Sequence, residues 1–158
     1  MMGFHFESSH IYGLPERKNK LTLNDTRHGQ PYRLFAVDKF PHNEWDNTNL
    51  YSGIPYITGH SNSQMGNHDE SILWMSASET FVDIYEDKNG GKMTNFMSEG
   101  GVLEFFMIGA STPKRIHKRL ATITGFQALP PLFSLGFHYS RWEDTSAQKV
   151  RQYNEKFE

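Results

Sequence analysis

The stretch SILWMSASETFVDIY, residues 71–85, predicts two strands joined by a tight turn. Its halves, 71–76 and 80–85, are rich in β-branched and aromatic residues, and three small or polar residues separate them. Residues 72–75 are apolar throughout, which favours a central strand. Short strands separated by turn residues indicate an antiparallel sandwich rather than βαβ units.

The same pattern extends outward in both directions. We predict further strands within residues 4–13, 32–37, 54–58 and 102–108, with connections rich in Gly, Asn and Ser at 59–69 and 86–101. Aromatic residues make up 14% of the chain, more than a helical bundle needs. Those in the densest strands are expected to pack in the core. The fold class is therefore predicted to be mainly β, an antiparallel β-sandwich.

Beyond residue 109 the apolar spacing changes to steps of three and four. Thr112 suits the N-cap and Pro113 the first helical position, and Gly125 suits the end of the helix. The sequence predicts an amphipathic helix at 113–124, whose apolar positions are Ile116, Leu120 and Ile123. A second helix is predicted after residue 144, where Thr145 and Gln148 fit a capping box.

Between these helices lies GFQALPPLFSLGFHYSRWED, residues 125–144. Its apolar run at 132–139 predicts a buried strand that ends in a charged and aromatic cluster. A (β/α)8 barrel places its active site at such strand ends, but the same pattern marks an ordinary core strand. Periodicity leaves both interpretations open. The architecture is predicted to change near residue 126.

Composition limits the classes of function. The net charge is −2 without a clustered basic face, so nucleic acid is not an expected partner. The chain has no cysteine, no apolar run of transmembrane length, and eight histidines without paired metal-ligand spacing. No cofactor or metal is expected. Asn24-Asp25-Thr26 fits the N-glycosylation sequon, which matters only in a secretory compartment.

Seven sequence words, in order along nearly the whole chain, resemble glycoside hydrolase family 31. They are HIYGLPE (10–16), PYRL (31–34), NLYSGIP (49–55), WMSASETFVDI (74–84), MSEGG (97–101), TITGFQALPPLFSLGFH (122–138) and RW (141–142). Ordered agreement over seven words is far more specific than any single motif. The strongest similarity is to the branch that trims glucose from the N-glycans of newly made glycoproteins.

The resemblance implies both a fold and a reaction. Residues 1–126 are expected to form a galactose-mutarotase-like β-sandwich with its linking helix. Residues 127–158 are expected to be the first β/α unit of a catalytic (β/α)8 barrel that is incomplete in this chain. The implied reaction is retaining hydrolysis of terminal α-linked glucose, which uses two carboxylates. In the family both are aspartates deeper in the barrel, so no residue here is assigned as catalytic, and the chain alone is expected to be inactive.

The resemblance also implies three substrate-binding residues. Asp38 and Tyr51 match a sandwich loop over the barrel mouth, and Trp142 matches an aromatic residue at the end of the first barrel strand. A carboxylate accepts hydrogen bonds from glucose hydroxyls, and an aromatic face packs on the apolar side of the sugar ring. The structural alternatives are a turn residue for Asp38, a core aromatic for Tyr51 and a plug at the barrel mouth for Trp142.

Location and partners follow from the same kinship. The branch works in the lumen of the endoplasmic reticulum with a separate β subunit and acts on an α-glucosyl oligosaccharide or glycoprotein N-glycan. Two alternatives stay open. One is another family 31 α-glycosidase acting on maltose-like glucans, and the other is a non-catalytic carbohydrate-binding or interaction module.

Overall fold

The computed structural model describes residues 1–38, 49–63, 66–140 and 146–157. The chain divides into two compact units, Met1–Phe126 and Gln127–Glu158. Each is described by itself below.

The first unit is a sandwich of two four-stranded sheets. Across the described residues its strands are β1 (Met2–Phe6), β2 (Ile11–Gly13), β3 (Tyr32–Leu34), β4 (Tyr56–Ser63), β5 (Gly66–Trp74), β6 (Thr80–Glu86), β7 (Lys92–Ser98) and β8 (Phe105–Ala110). One sheet has the order β1-β7-β6-β3 and the other β2-β4-β5-β8, and every neighbouring pair is antiparallel. The predicted mainly β, antiparallel sandwich is confirmed.

Aromatic side chains fill the space between the sheets. Trp74 and Phe96 are fully buried, and their rings stack with centroids 5.3 Å apart. Phe4 meets Phe105 edge-on at 4.9 Å. Such pairs each contribute about 0.5–1.5 kcal/mol beyond the area that they bury. The rings therefore join strands from both sheets into one core.

Two predicted connections contain more strand than expected. β7 lies inside the stretch predicted as a connection at 86–101, and the β4–β5 hairpin occupies most of 59–69. The inward positions of β7 are Lys92, Thr94 and Phe96, so its buried face lacks the apolar alternation that marks a strand. Buried Thr94 donates a hydrogen bond to the Phe4 carbonyl at 3.4 Å, and backbone pairing with β1 and β6 completes the strand.

The helix α1 (Pro113–Thr124) has the predicted bounds. The Thr112 hydroxyl accepts a hydrogen bond from the Arg115 amide at 3.4 Å. Ile116, 1% exposed, packs with Leu73 and Ile108 on the outer face of the second sheet. The sandwich is therefore covered on this face by its own linking helix.

In the second unit the prediction of a strand at 132–139 is wrong. Leu132–Leu135 form a 3₁₀ turn, in which the Ser134 amide donates to the Pro131 carbonyl at 3.0 Å. A strand needs neighbours to satisfy its backbone groups, and the described residues of this unit provide none. Phe133 is exposed, and Leu129 is 95% exposed.

The helix α2 (Ala147–Phe157) follows this turn. The Ser146 hydroxyl accepts a hydrogen bond from the Lys149 amide at 3.3 Å, while the predicted cap Thr145 lies outside the described residues. Phe137 contacts Phe157 with ring centroids 5.3 Å apart, and Tyr139 contacts Tyr153 at 5.1 Å. Aromatic contacts thus hold this unit together.

Candidate functional site

Two of the three predicted sugar-contacting residues lie on either side of residues 39–48, the segment that follows β3 and its continuation to Asp38. Asp38 is exposed at the last described position before residues 39–48, and Tyr51, 59% exposed, follows that segment. Trp142 lies outside the described residues. The described part of the candidate site is therefore the loop base, which is the backbone around Asp38 and Tyr51 at the edge of the sandwich.

The two sides of this loop base are joined by backbone hydrogen bonds. The Val37 amide donates to the Leu50 carbonyl at 2.7 Å, so Asp38 and Tyr51 each adjoin the same hydrogen bond. The Leu50 amide donates in turn to the Glu16 carbonyl at 2.8 Å. The structure therefore brings Asp38 and Tyr51 together through the backbone of their neighbours.

Asn49 ties this base together from the inside. Its side chain is fully buried, although asparagine is usually a surface residue. Its Oδ1 accepts a hydrogen bond from the Phe35 amide at 3.2 Å, and its Nδ2 donates to the Glu16 carbonyl at 3.2 Å. One amide thus links the segments after β2, after β3 and before β4. Sequence reasoning included Asn49 in a family word without recognising this role, because an asparagine in a polar loop gives no signal of burial.

The turn after β2 is the third segment of the loop base. The Glu16 amide donates to the Ser52 carbonyl at 2.9 Å, and the Ile54 amide donates to the Pro15 carbonyl at 2.7 Å. Gly13 allows this close approach, because its φ is +124° and an added Cβ would lie 2.3 Å from the Tyr56 carbonyl oxygen. The family words at 10–16 and 49–55 are therefore paired segments of one structure.

A half-buried cation lies behind the same turn. The Arg17 Nε donates to the Leu14 carbonyl at 2.5 Å, and the guanidinium lies 4.9 Å from the centre of the Tyr32 ring. Burial lowers the pKa of Arg17 to about 10, so the side chain keeps its charge at neutral pH. The Tyr32 hydroxyl accepts a hydrogen bond from the Asn24 amide at 2.7 Å, and burial raises the pKa of Tyr32. Arg17 therefore stabilises the base of the loop rather than offering a free charge.

Two other family words meet at the far end of the core. The Trp74 Nε1 donates to the Ser98 hydroxyl at 3.0 Å, and that hydroxyl lies 2.6 Å from the Thr80 hydroxyl. The Ser78 hydroxyl donates to the Gly100 carbonyl at 3.1 Å. Residues in these two words therefore provide hydrogen-bond partners for buried polar groups and hold the ends of strands in place. Their role is structural.

A groove of about 420 Å³ opens between β1 and the strands β5 and β8. Its lining includes Phe4, Ile72 and Met107, with Glu70 as its carboxylate. Burial raises the pKa of Glu70, and its Oε1 accepts a hydrogen bond from the Glu7 amide at 2.8 Å. The groove contains none of the three predicted site residues, and its single carboxylate does not make the pair that glycoside hydrolysis needs.

One buried carboxylate was not anticipated from the sequence. The Asp69 side chain, 2% exposed, lies 2.5 Å through Oδ1 from the Nδ1 of His60 on the neighbouring strand. The sequence does not show which residues of a hairpin face each other, because the register of the two strands is not known from spacing alone. Among the described residues no cluster of three His, Cys, Asp or Glu side chains could hold a metal ion. No helix in the described part of the chain is long and apolar enough to cross a membrane.

The curated relatives are α-glucosidases. Neutral alpha-glucosidase AB is 35% identical over 167 residues in Sus scrofa and 35% identical over 158 residues in Dictyostelium discoideum. These matches cover 94% and 96% of this chain. Glucosidase 2 subunit alpha of Saccharomyces cerevisiae is 39% identical over 138 residues, which is 85% of this chain. The chain spans 17%, 16% and 14% of these relatives' lengths.

The solved structures agree with these relatives. A crystal structure of a glucosidase II alpha subunit bound to Glc1Man2 matches with a TM-score of 0.82 and 31% identity, over 98% of this chain and 18% of that one. A heterodimeric glucosidase II complex, comprising the catalytic subunit and the binding domain of the regulatory subunit, matches equally well. The family model of the glycosyl hydrolase 31 N-terminal galactose mutarotase-like domain matches residues 2–83. The chain belongs to glycoside hydrolase family 31.

Proposed function

We propose that this chain is the N-terminal part of a retaining α-glucosidase of the glucosidase II type, which removes terminal α-linked glucose from N-glycans. The observation that carries the proposal is agreement along almost the whole chain: 31% identity and a TM-score of 0.82 over 98% of its length. A fold match alone would leave the activity open, because one fold hosts many functions. The family words that match at the loop base limit the candidate activities to those of this family.

In this proposal the sandwich spans residues 1–126, and residues 127–158 begin the catalytic barrel. The exposed Leu132, Phe133, Leu135 and Phe137 then become buried when the remaining barrel strands pair with this segment. Pairing would also convert the 3₁₀ turn into the predicted strand, because the neighbours supply the missing hydrogen bonds.

Asp38, Tyr51 and Trp142 are proposed to line the sugar pocket. The loop base favours the first two, since each adjoins the backbone hydrogen bond between Val37 and Leu50 while its own side chain is exposed. Side chains on a fixed backbone lose less conformational entropy when they bind a sugar. The two catalytic carboxylates come from the barrel and not from this chain.

The proposed substrate is a glucosylated oligomannose glycan, and the proposed location is the lumen of the endoplasmic reticulum. One matched structure holds Glc1Man2, and another contains the binding domain of a regulatory subunit. The corresponding partner here would be a glucosidase II β subunit.

The test is glucose release by the whole polypeptide that contains residues 1–158. We expect release from a monoglucosylated oligomannose glycan at a higher kcat/KM than from maltose. A preference for maltose would instead support an α-glucosidase of glucan metabolism. Failure to cleave either sugar, with the glycan still bound, would support a carbohydrate-binding module. Residues 1–158 alone are expected to release no glucose.

A further inference from the structure

The sequon Asn24-Asp25-Thr26 lies in the segment between β2 and β3. We propose that Asn24 carries an N-linked glycan, and that the glycan is attached before the sandwich folds. The proposal rests on the proposed function in one respect, the location of the chain in the secretory lumen. The structure contributes an exposed acceptor and a buried hydroxyl, and the direction of synthesis gives the order in which the two become fixed.

Asn24 is accessible in the folded sandwich. The residue is exposed, and its backbone amide donates to the Tyr32 hydroxyl at 2.7 Å, which fixes the chain at this point. The side-chain contact is weak, since Nδ2 donates to the Asn19 Oδ1 at 3.4 Å, near the limit for a hydrogen bond. A glycan on Nδ2 would therefore displace little and extend into solvent.

Thr26 has the opposite environment. The residue is 5% exposed, and its hydroxyl accepts a hydrogen bond from the Ile84 amide at 2.9 Å. The same hydroxyl lies 3.0 Å from the Asp83 Oδ1. Sequon recognition depends on the residue two positions after Asn. The folded sandwich therefore buries Thr26, one of the two residues that the glycosylating enzyme must recognise.

The order of synthesis resolves this conflict. The contacts that bury Thr26 come from β6, 57 and 58 residues further along the chain. At 5–20 residues per second, making that length takes about 3–12 s. The sequon is therefore available while β6 is still being made, and it closes when β6 pairs with β3 and packs on Thr26.

The middle residue does not block the acceptor. The Asp25 carboxylate is engaged by other groups, because its Oδ2 accepts hydrogen bonds from the Arg27 Nη2 at 2.9 Å and from the Glu86 amide at 3.0 Å. Asn24 and Thr26 lie on opposite sides of the segment, one exposed and one buried. A glycosylated chain can therefore still form the contacts that bury Thr26.

The reaction needs a polyprenyl-pyrophosphate-linked oligosaccharide as donor. The Asn24 Nδ2 forms a bond to the C1 atom of the first sugar, and the bond from C1 to the phosphate oxygen breaks. Nδ2 loses one proton, and the lipid pyrophosphate leaves with the bonding electrons.

The experiment is translation of the chain behind a cleavable signal peptide in the presence of endoplasmic-reticulum microsomes. We expect the protease-protected product to carry one glycan that peptide N-glycosidase removes. Asn24→Gln should lose the whole modification, whereas Thr26→Ser keeps the hydroxyl and should retain it. Asn19→Gln is the matched control, because Asn19 lies outside any sequon and its variant should be modified like the natural chain. A protected natural chain without glycan, or a glycan that persists in Asn24→Gln, would overturn the proposal.

Timing and location are measured separately. Natural chain added to the microsomal enzyme after folding is expected to stay unmodified, and its modification would refute attachment before folding. The native protein is then isolated and its Asn24 peptide examined by mass spectrometry. An unmodified lumenal protein contradicts the glycan alone. A native protein outside the secretory pathway contradicts the proposed location and with it the native glycan, even where microsomes modify the chain.

Discussion

Replacing Asn49 by alanine removes the amide that joins three segments at the loop base. Two hydrogen bonds are lost, to the Phe35 amide and the Glu16 carbonyl. Glu16 keeps a second donor, the Leu50 amide at 2.8 Å, so that loss costs about 0.5–1.5 kcal/mol. The Phe35 amide loses the acceptor that the structure gives it, which costs about 1–3 kcal/mol when the group stays shielded from water. We expect a total loss of about 1.5–4.5 kcal/mol in the free energy of unfolding.

Urea unfolding followed by tryptophan fluorescence measures this loss, since Trp74 is fully buried in the sandwich. Asn67→Ala is the matched control, because Asn67 is exposed on β5 and its replacement should change stability by less than about 0.5 kcal/mol. If Asn49→Ala unfolds within about 0.5 kcal/mol of the natural chain, Asn49 does not hold the loop base as described. A large loss in both variants would also refute the reasoning, because it would show no special role for burial.

The remaining predictions concern the sandwich itself. Hydrogen bonds from Arg27 and Glu86 outweigh desolvation, which opposes ionisation, and they lower the pKa of Asp25 from 3.8 to about 2. The stability that its ionised form contributes is therefore present above pH 3.8 and lost as the pH falls towards 2. Asp25→Asn should weaken the acid dependence of the urea midpoint in that window, and an unchanged dependence would show that Asp25 is not responsible. Ile116→Ala should cost about 2–5 kcal/mol, because a fully buried side chain between α1 and the second sheet is removed. The exposed Val150→Ala should change the calorimetric unfolding of the sandwich little, and equal losses in the two variants would argue against α1 packing.

Much of the fold was predictable because its signals are local. The strands around Trp74 and Val82 alternate or run apolar, and α1 has a cap, a proline and a regular apolar spacing. β7 was missed because its inward positions include Lys92 and Thr94, whose burial depends on partners far along the chain. Local pattern cannot report such partners.

The predicted strand at 132–139 failed for the opposite reason. Its sequence has a strand pattern, yet the described residues of the second unit offer no strand to pair with it. Tertiary context decides such a segment, and pattern alone does not.

The candidate site was predictable only in part. The resemblance selected Asp38 and Tyr51, and the structure places both at one hydrogen-bonded loop base. The burial of Asn49 could not be read from the sequence, because its partners lie on segments distant in the chain. The pairing of His60 with Asp69 could not be read either, because it depends on the register of the hairpin. The sugar-binding roles of Asp38, Tyr51 and Trp142 stay predictions.

The configuration of the first glucose released tests the central proposal most directly. Proton NMR of the whole polypeptide with a monoglucosylated oligomannose glycan should show α-glucose first, followed by slow conversion to the equilibrium mixture, because a retaining enzyme inverts the anomeric carbon twice. β-Glucose as the first product, or no glucose from an intact and folded polypeptide, would contradict the proposal that this chain begins a retaining α-glucosidase.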